Sequence, residues 1–173
     1  MNSITDKGRE QEREYSRGTD RPLGSYAALI TAFGGAVGAG ALIAKLTGRR
    51  AADLRPWDVA LLTVTTYKVS RLLAKDPVTS PLRAPFTRYE GTSGPAELAE
   101  EVRGTGIRHA VGELLTCPFC LAQWVATAYV GGMTFAPRPT RLAGATMCAV
   151  AGADWLQFLH ARLQQNSEDS SAG

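Results

Sequence analysis

Residues 22–44 and 114–137 contain no charged side chain. As helices, these runs of 23 and 24 positions would be about 34 and 36 Å long at 1.5 Å per residue. A bilayer's hydrocarbon core is about 30 Å thick, so either run can cross it. At roughly 150 residues per domain, the chain's 173 residues make one domain with tails. Two such helices are hard to bury in a core of that size, because buried core helices are usually shorter. The expectation is therefore all-α: an integral membrane helical bundle. A soluble bundle of very apolar helices is the competing reading.

Two further segments bring the expected spans to four, at about 23–45, 57–75, 114–136 and 142–160. Residues 57–75 have a plausible first helical position in Pro56 and a stop at Asp76-Pro77. Their uncharged run, Val59 to Tyr67, is short, so a span here needs Lys68 and Arg71 to snorkel or to find partners. Residues 142–160 carry one charge, Asp154. Small residues recur at four-residue spacing, as Gly34 and Gly38 in the first span and as Gly144, Cys148 and Gly152 in the last. That spacing lets helix backbones approach closely in lipid.

The membrane domain then covers 22–163. Residues 1–21 and 164–173 are polar tails that bury too little apolar surface to order themselves. Residues 76–113 form the long loop. Pro77, Pro81 and Pro85 exclude regular helix or central strand over residues 76–94, which read as an ordered surface loop. Residues 95–102 read as a helix, with Gly94 as N-cap, Pro95 first and Glu97 third. Gly104 and Gly106 interrupt before a helical pattern resumes over 107–115. Residues 137–141 read as a short turn.

Orientation follows from Lys and Arg placement. The two tails and the middle loop carry eleven of these residues outside the spans, and the opposite side carries five. The excess puts both termini and the loop in the cytoplasm of a multi-pass bacterial cell-membrane protein. Of the 19 basic residues, 15 are Arg, a composition that fits a GC-rich bacterial genome. A net charge of +3 is too balanced for a dedicated nucleic-acid binder. Three cysteines are too few for a disulfide scaffold. The Gly-rich stretch 35–40 lacks GxGxxG and the Walker Lys-Ser/Thr, and it lies inside an apolar run, so it does not read as a phosphate loop.

Cys117-Pro118-Phe119-Cys120 is the sharpest local motif. Pro118 suits the first turn of a helix, making Cys117 the N-cap and Cys120 the third helical residue. Thiol–disulfide chemistry is one reading, since a helix N-terminus favours a thiolate; the four residues resemble the CPYC of glutaredoxins, and the likeness ends there. A zinc site is another: Cys117 and Cys120 supply half a tetrahedral set, with His109 as a third ligand or a second copy supplying two more thiolates. The plain reading is two small residues packing a helix start, with no cofactor. His109 and His160 stand alone, with no triad spacing, and Glu97, Glu100, Glu101 and Glu113 read as a solvated helix face.

TYKVSRLLAKDPVTSPLRAPF, followed by GELLTCPFCLAQWVA, resembles the domain-of-unknown-function family 1360. The pattern falls on Arg71, Leu72, Asp76, Pro81, Leu82, Arg83, Pro85, Phe86, Leu115, Thr116, Cys117, Pro118, Cys120 and Trp124, within residues 57–160. Gln123 departs from it, standing where a small residue is expected. The resemblance implies a small bacterial membrane protein, with sporulation among its relatives' labels, and implies no reaction. The expected role is non-enzymatic: structural, or docking a protein partner or second copy at the loop. A thiol enzyme or metal-binding protein is the alternative, and a channel or holin-like assembly a weaker one suggested by the Gly-rich first span.

One contact is expected across the spans. Lys68 and Asp154 fall about 8 to 12 Å below the same interface if the second and fourth spans run in the same direction. Opposite charges at matched depth can pair, with Arg71 as the alternative partner one turn nearer water. Otherwise Lys68 snorkels alone.

Overall fold

Prolines decide where the helices of this chain begin. In the computed structural model, which describes residues 21–171 with 10, 14 and 15, Pro56, Pro118 and Pro137 each open a helix. Proline lacks an N–H that the first turn would leave unbonded, and its φ is already helical. The order is α1 (Leu23–Leu46), α2 (Pro56–Lys75), a 3-10 turn (Pro77–Thr79), α3 (Ser80–Arg83), β1 (Thr87–Gly94), β2 (Glu97–Val102), α4 (Gly106–Thr116), α5 (Pro118–Phe135) and α6 (Pro137–Ser171). The protein is thus mostly helical, with one small antiparallel sheet. The proposed N-terminal tail, 1–21, lies almost wholly outside the described residues.

Contacts at the two ends set the helix directions. At one end, Arg49 donates to the Phe135 carbonyl (2.7 Å), and Arg141 grips Asp58 through Nε (2.7 Å) and Nη2 (3.1 Å). At the other, Tyr26 donates to Glu113 and Arg71 pairs with Glu97. So α1 and α5 run one way, and α2 and α6 run back. Leu61, Tyr129 and Met133 form the buried core between α2 and α5, with Ala52, Leu54, Leu62 and Cys148 packed against it. Phe33 meets Trp124 edge-on at 5.1 Å and ties α1 to α5.

Much apolar surface stays outside. No residue of α1 is buried, and Ile30 (72% exposed), Leu46 (77%) and Leu142 (71%) face outward. Among the described residues, two helices are long and apolar enough to cross a membrane: α1, and α6 over Pro137–Ser167. The bent pair α4 and α5 makes a third if counted as one span. With Asp58, Lys68, Arg71 and Lys75 on its 20 residues, α2 is not apolar enough to pass on composition.

Several expectations need correcting. The uncharged stretch 114–136 is not one helix: α4 and α5 meet at 81°. Pro118 would remove a hydrogen bond and clash with the preceding turn, and the residue before it is driven to extended backbone. Cys117 indeed has φ −101° and ψ 106°. Residues 76–94 are not a plain loop; they hold a 3-10 turn, a short helix and a strand. Residues 95–102 are not helical, and Glu97–Val102 pairs antiparallel with Thr87–Gly94 through a turn at Pro95 and Ala96. Residues 137–141 are not a turn but the start of α6, with only Ala136 between the two helices. Residues 164–171 are helical, not a disordered tail, because no Gly or Pro interrupts the chain between Gly152 and Ser171.

Of the spaced glycines, Gly144 is packed within the chain and the others are open. A Cβ on Gly144 would lie 3.1 Å from two ring carbons of Tyr129, whereas Gly34, Gly38 and Gly152 have nothing within 4 Å. Gly144→Ala should therefore cost about 1–3 kcal/mol through overpacking. Gly152→Ala should be neutral or stabilising by up to about 1 kcal/mol, the helical preference of Ala over Gly. Thermal unfolding of the two variants in detergent checks this, and equal melting temperatures would refute the Tyr129–Gly144 contact.

Candidate functional site

The segment between α2 and α4 is built around one buried cation. Arg83 is 0% exposed, and a guanidinium in such a place must be paired and fully hydrogen-bonded. Its Nε donates to Glu100, Nη1 to the Leu73 carbonyl (2.8 Å) and to Thr79 Oγ1 (2.7 Å), and Nη2 to the Asp76 carbonyl (3.1 Å). The last four carbonyls of a helix have no partner within it. Arg83 and the Thr79 hydroxyl, which donates to Leu72 (2.6 Å), supply partners at the end of α2.

The surrounding pieces lock onto the same centre. Asp76 accepts from the Val78 N–H (2.8 Å) and caps the 3-10 turn. Arg103 donates to the Ala84 carbonyl (2.8 Å) and Arg108 to the Pro85 carbonyl (3.0 and 2.5 Å). Gly112 lets α4 approach the hairpin: a Cβ there would lie 2.6 Å from Val102 and 3.1 Å from the Phe86 carbonyl. Three of the four glutamates are not a solvated face, whereas Glu101 is exposed, on a strand and not on a helix. Glu97 pairs with Arg71, Glu100 with Arg83, and Glu113 with Arg21, Tyr26 and His109. A run of glutamates and its basic partners lie far apart in sequence, so only folding could assign them.

The Cys117 thiol caps α5, accepting from the Cys120 N–H at 3.3 Å. Cys117, Cys120 and Cys148 are all free, and Cys120 is exposed. His109 Nε2 lies 3.4 Å from Glu113. Among the described residues no group of three His, Cys, Asp or Glu is placed to hold a metal.

The structure brings Lys68 and Asp154 together as an ion pair between α2 and α6. Arg71 turns instead to Glu97. Above the Lys68–Asp154 pair lies a cleft of about 740 Å³ between the second half of α2, the hairpin turn and α6. Its walls include Tyr67, Lys75, Ala96, Trp155 and Phe158. Ala96 has φ 59°, a left-handed conformation that L side chains rarely adopt, at the cleft's rim.

These features define a class: a helical protein with two or three helices able to cross a membrane, and a charge-locked hairpin segment at one end. The chain belongs to the protein-of-unknown-function family DUF1360, whose profile matches residues 61–160. That match takes in the whole Arg83 centre, Cys117–Cys120 and the Lys68–Asp154 pair. Sporulation protein YjcA of Bacillus subtilis (strain 168) is 34% identical over 71 residues, covering 39% of this chain and 60% of that protein. The chain thus spans 60% of the length of the curated relative it matches. No solved structure matches it.

Proposed function

We propose that this protein is a four-span, non-enzymatic membrane protein whose hairpin segment forms a rigid platform for a partner on the cytoplasmic side. Support for the platform comes from the fully buried Arg83, which makes residues 76–113 a folded body fastened to α2. A flexible linker would not spend a buried, fully bonded guanidinium on its own shape. The exposed edge of β1 offers Arg88, Tyr89 and Glu90 to a partner, and an unpaired strand edge is a ready template for a docking chain.

Four spans are favoured by the alternating directions of α1, α2, α5 and α6 and by the outward apolar faces of α1 and α6. The 20 residues of α2 reach about 30 Å, and three of its four charges, Asp58, Lys68 and Arg71, are paired with other segments. With one helical turn per 5.4 Å, α4 would lie along the interface, given its 81° bend from α5.

Carbonate washing of membranes should leave the chain in the pellet. In intact spheroplasts, an impermeant maleimide should label Thr47→Cys and spare Ser93→Cys, both in a background with the native cysteines replaced by Ser. The reverse labelling would overturn the orientation, and release by carbonate would overturn the membrane reading.

A further inference from the structure

We propose that the cleft between α2, the hairpin turn and α6 is a lipid site, which holds the phosphodiester headgroup of an anionic glycerophospholipid on Lys75. Six charged side chains line it: Lys68, Arg71, Lys75, Asp76, Glu97 and Asp154. Four of them cancel in pairs, Lys68 with Asp154 and Arg71 with Glu97. Asp76 carries a charge but accepts from the Val78 N–H as a cap and makes no ion pair with Lys75, so the six charges balance while the Lys75 ammonium has no direct partner. Among the described residues Lys75 has no ion-pair or hydrogen-bond partner for its ammonium, although it is half-buried. A half-buried ammonium on a cleft wall with three free donors calls for an acceptor from outside the chain.

Depth and shape narrow the acceptor to a lipid. Lys75 is the last residue of α2, one turn beyond Arg71 and two beyond Lys68. In the four-span reading that puts it at the headgroup level of the cytoplasmic leaflet, where a lysine ammonium near the surface is drawn to anionic lipids. The same cleft has an aromatic wall. Trp155 is 70% exposed, Phe158 58% and Tyr67 49%, an amount of outward aromatic surface that suits the interface between headgroups and acyl chains. A free phosphate ester would use Lys75 and leave this wall bare. A lipid fills both, with its phosphate on the ammonium and its glycerol and upper acyl carbons along Trp155 and Phe158.

The site rests on the four-span reading, and its test separates the two. The full chain, purified in detergent, is titrated with dioleoyl-phosphatidylglycerol and bound lipid is counted by native mass spectrometry. Wild type should retain one lipid, with Lys75→Ala weakening binding about fivefold and Lys75→Arg keeping it. Trp155→Ala should also weaken it. Lys45→Ala, at the end of α1 and outside the cleft, should have no effect. Equal binding by wild type and Lys75→Ala, or an equal loss in Lys45→Ala, overturns the site. Glycerol 3-phosphate competing as well as the lipid overturns the lipid assignment, as does dioleoyl-phosphatidylcholine binding that equals phosphatidylglycerol. Release of the chain by carbonate overturns the membrane reading and the site together. A carbonate-resistant chain with no dependence on Lys75 overturns the site alone.

Discussion

Arg83→Ala should destabilise the protein by about 3–5 kcal/mol, the cost of breaking a buried ion pair from one side. The reason lies less in the lost attraction than in what remains. Glu100, whose side chain is 6% exposed, would keep a carboxylate with no cation beside it. The carbonyls of Leu73 and Asp76 would lose the guanidinium as a donor. The damage should centre on residues 76–113, which would become open to proteases while α5 and α6 stay protected. Limited proteolysis in detergent with mapping of the first cuts checks this. Glu100→Gln should be milder, because an amide can still accept from the guanidinium. A double Arg83→Leu, Glu100→Leu variant should recover part of the loss, since removing both charges avoids an unpaired one. If Arg83→Ala melts with wild type and resists proteolysis alike, the guanidinium does not hold the segment together.

Lys68→Ala and Asp154→Ala should each cost about 1–3 kcal/mol, the range for an unpaired charge below the interface that can partly snorkel. The pair joins two helices that run the same way, and its side chains are 18% and 37% exposed, respectively. The double variant should lose less than the sum of the two, with a coupling of about 1 kcal/mol. Arg71 is no substitute partner for Asp154, because it is engaged with Glu97; Arg71→Ala should therefore add to Asp154→Ala without coupling. Thermal unfolding of wild type, the three single variants and the two double variants in one detergent measures all of this. Strictly additive losses for Lys68 and Asp154 would show that the two do not meet.

Helix starts were legible from short range because their causes are local. Pro118 beside Cys117 forces the extended residue, the new helix it caps and the break in the apolar run at Thr116. The hairpin is not legible in the sequence for the opposite reason. Ala96, Glu97, Leu98 and Glu100 are individually good helix residues, Pro95 suits a first helical position, and local preference points to a helix. Gly94-Pro95 was the available turn signal, with Thr87 and Tyr89 suited to a strand before it. Contacts with distant residues outweigh the preference: Glu97 reaches Arg71 and Glu100 reaches the buried Arg83.

The family pattern in the sequence marked Arg83, Asp76 and Pro85 without saying what they do. Arg83 and Asp76 close the end of α2, which depends on carbonyls that become available only once that helix has stopped, and the Pro85 carbonyl accepts from Arg108.

Charge placement shows the same division. That Lys68 and Asp154 carry opposite signs at similar distances from a boundary follows from counting residues along two helices. That Arg71 faces Glu97, or that Lys75 is left over on the wall of a cleft, does not, because both depend on where the hairpin turns. Sequence by itself determined the uncharged runs, the proline starts of α2 and α5 and the capped Cys117, since uncharged length and backbone sterics act within a few residues. Only the tertiary structure decided the hairpin, the buried Arg83–Glu100 centre and the cleft, since each depends on residues that become neighbours after the helices have packed.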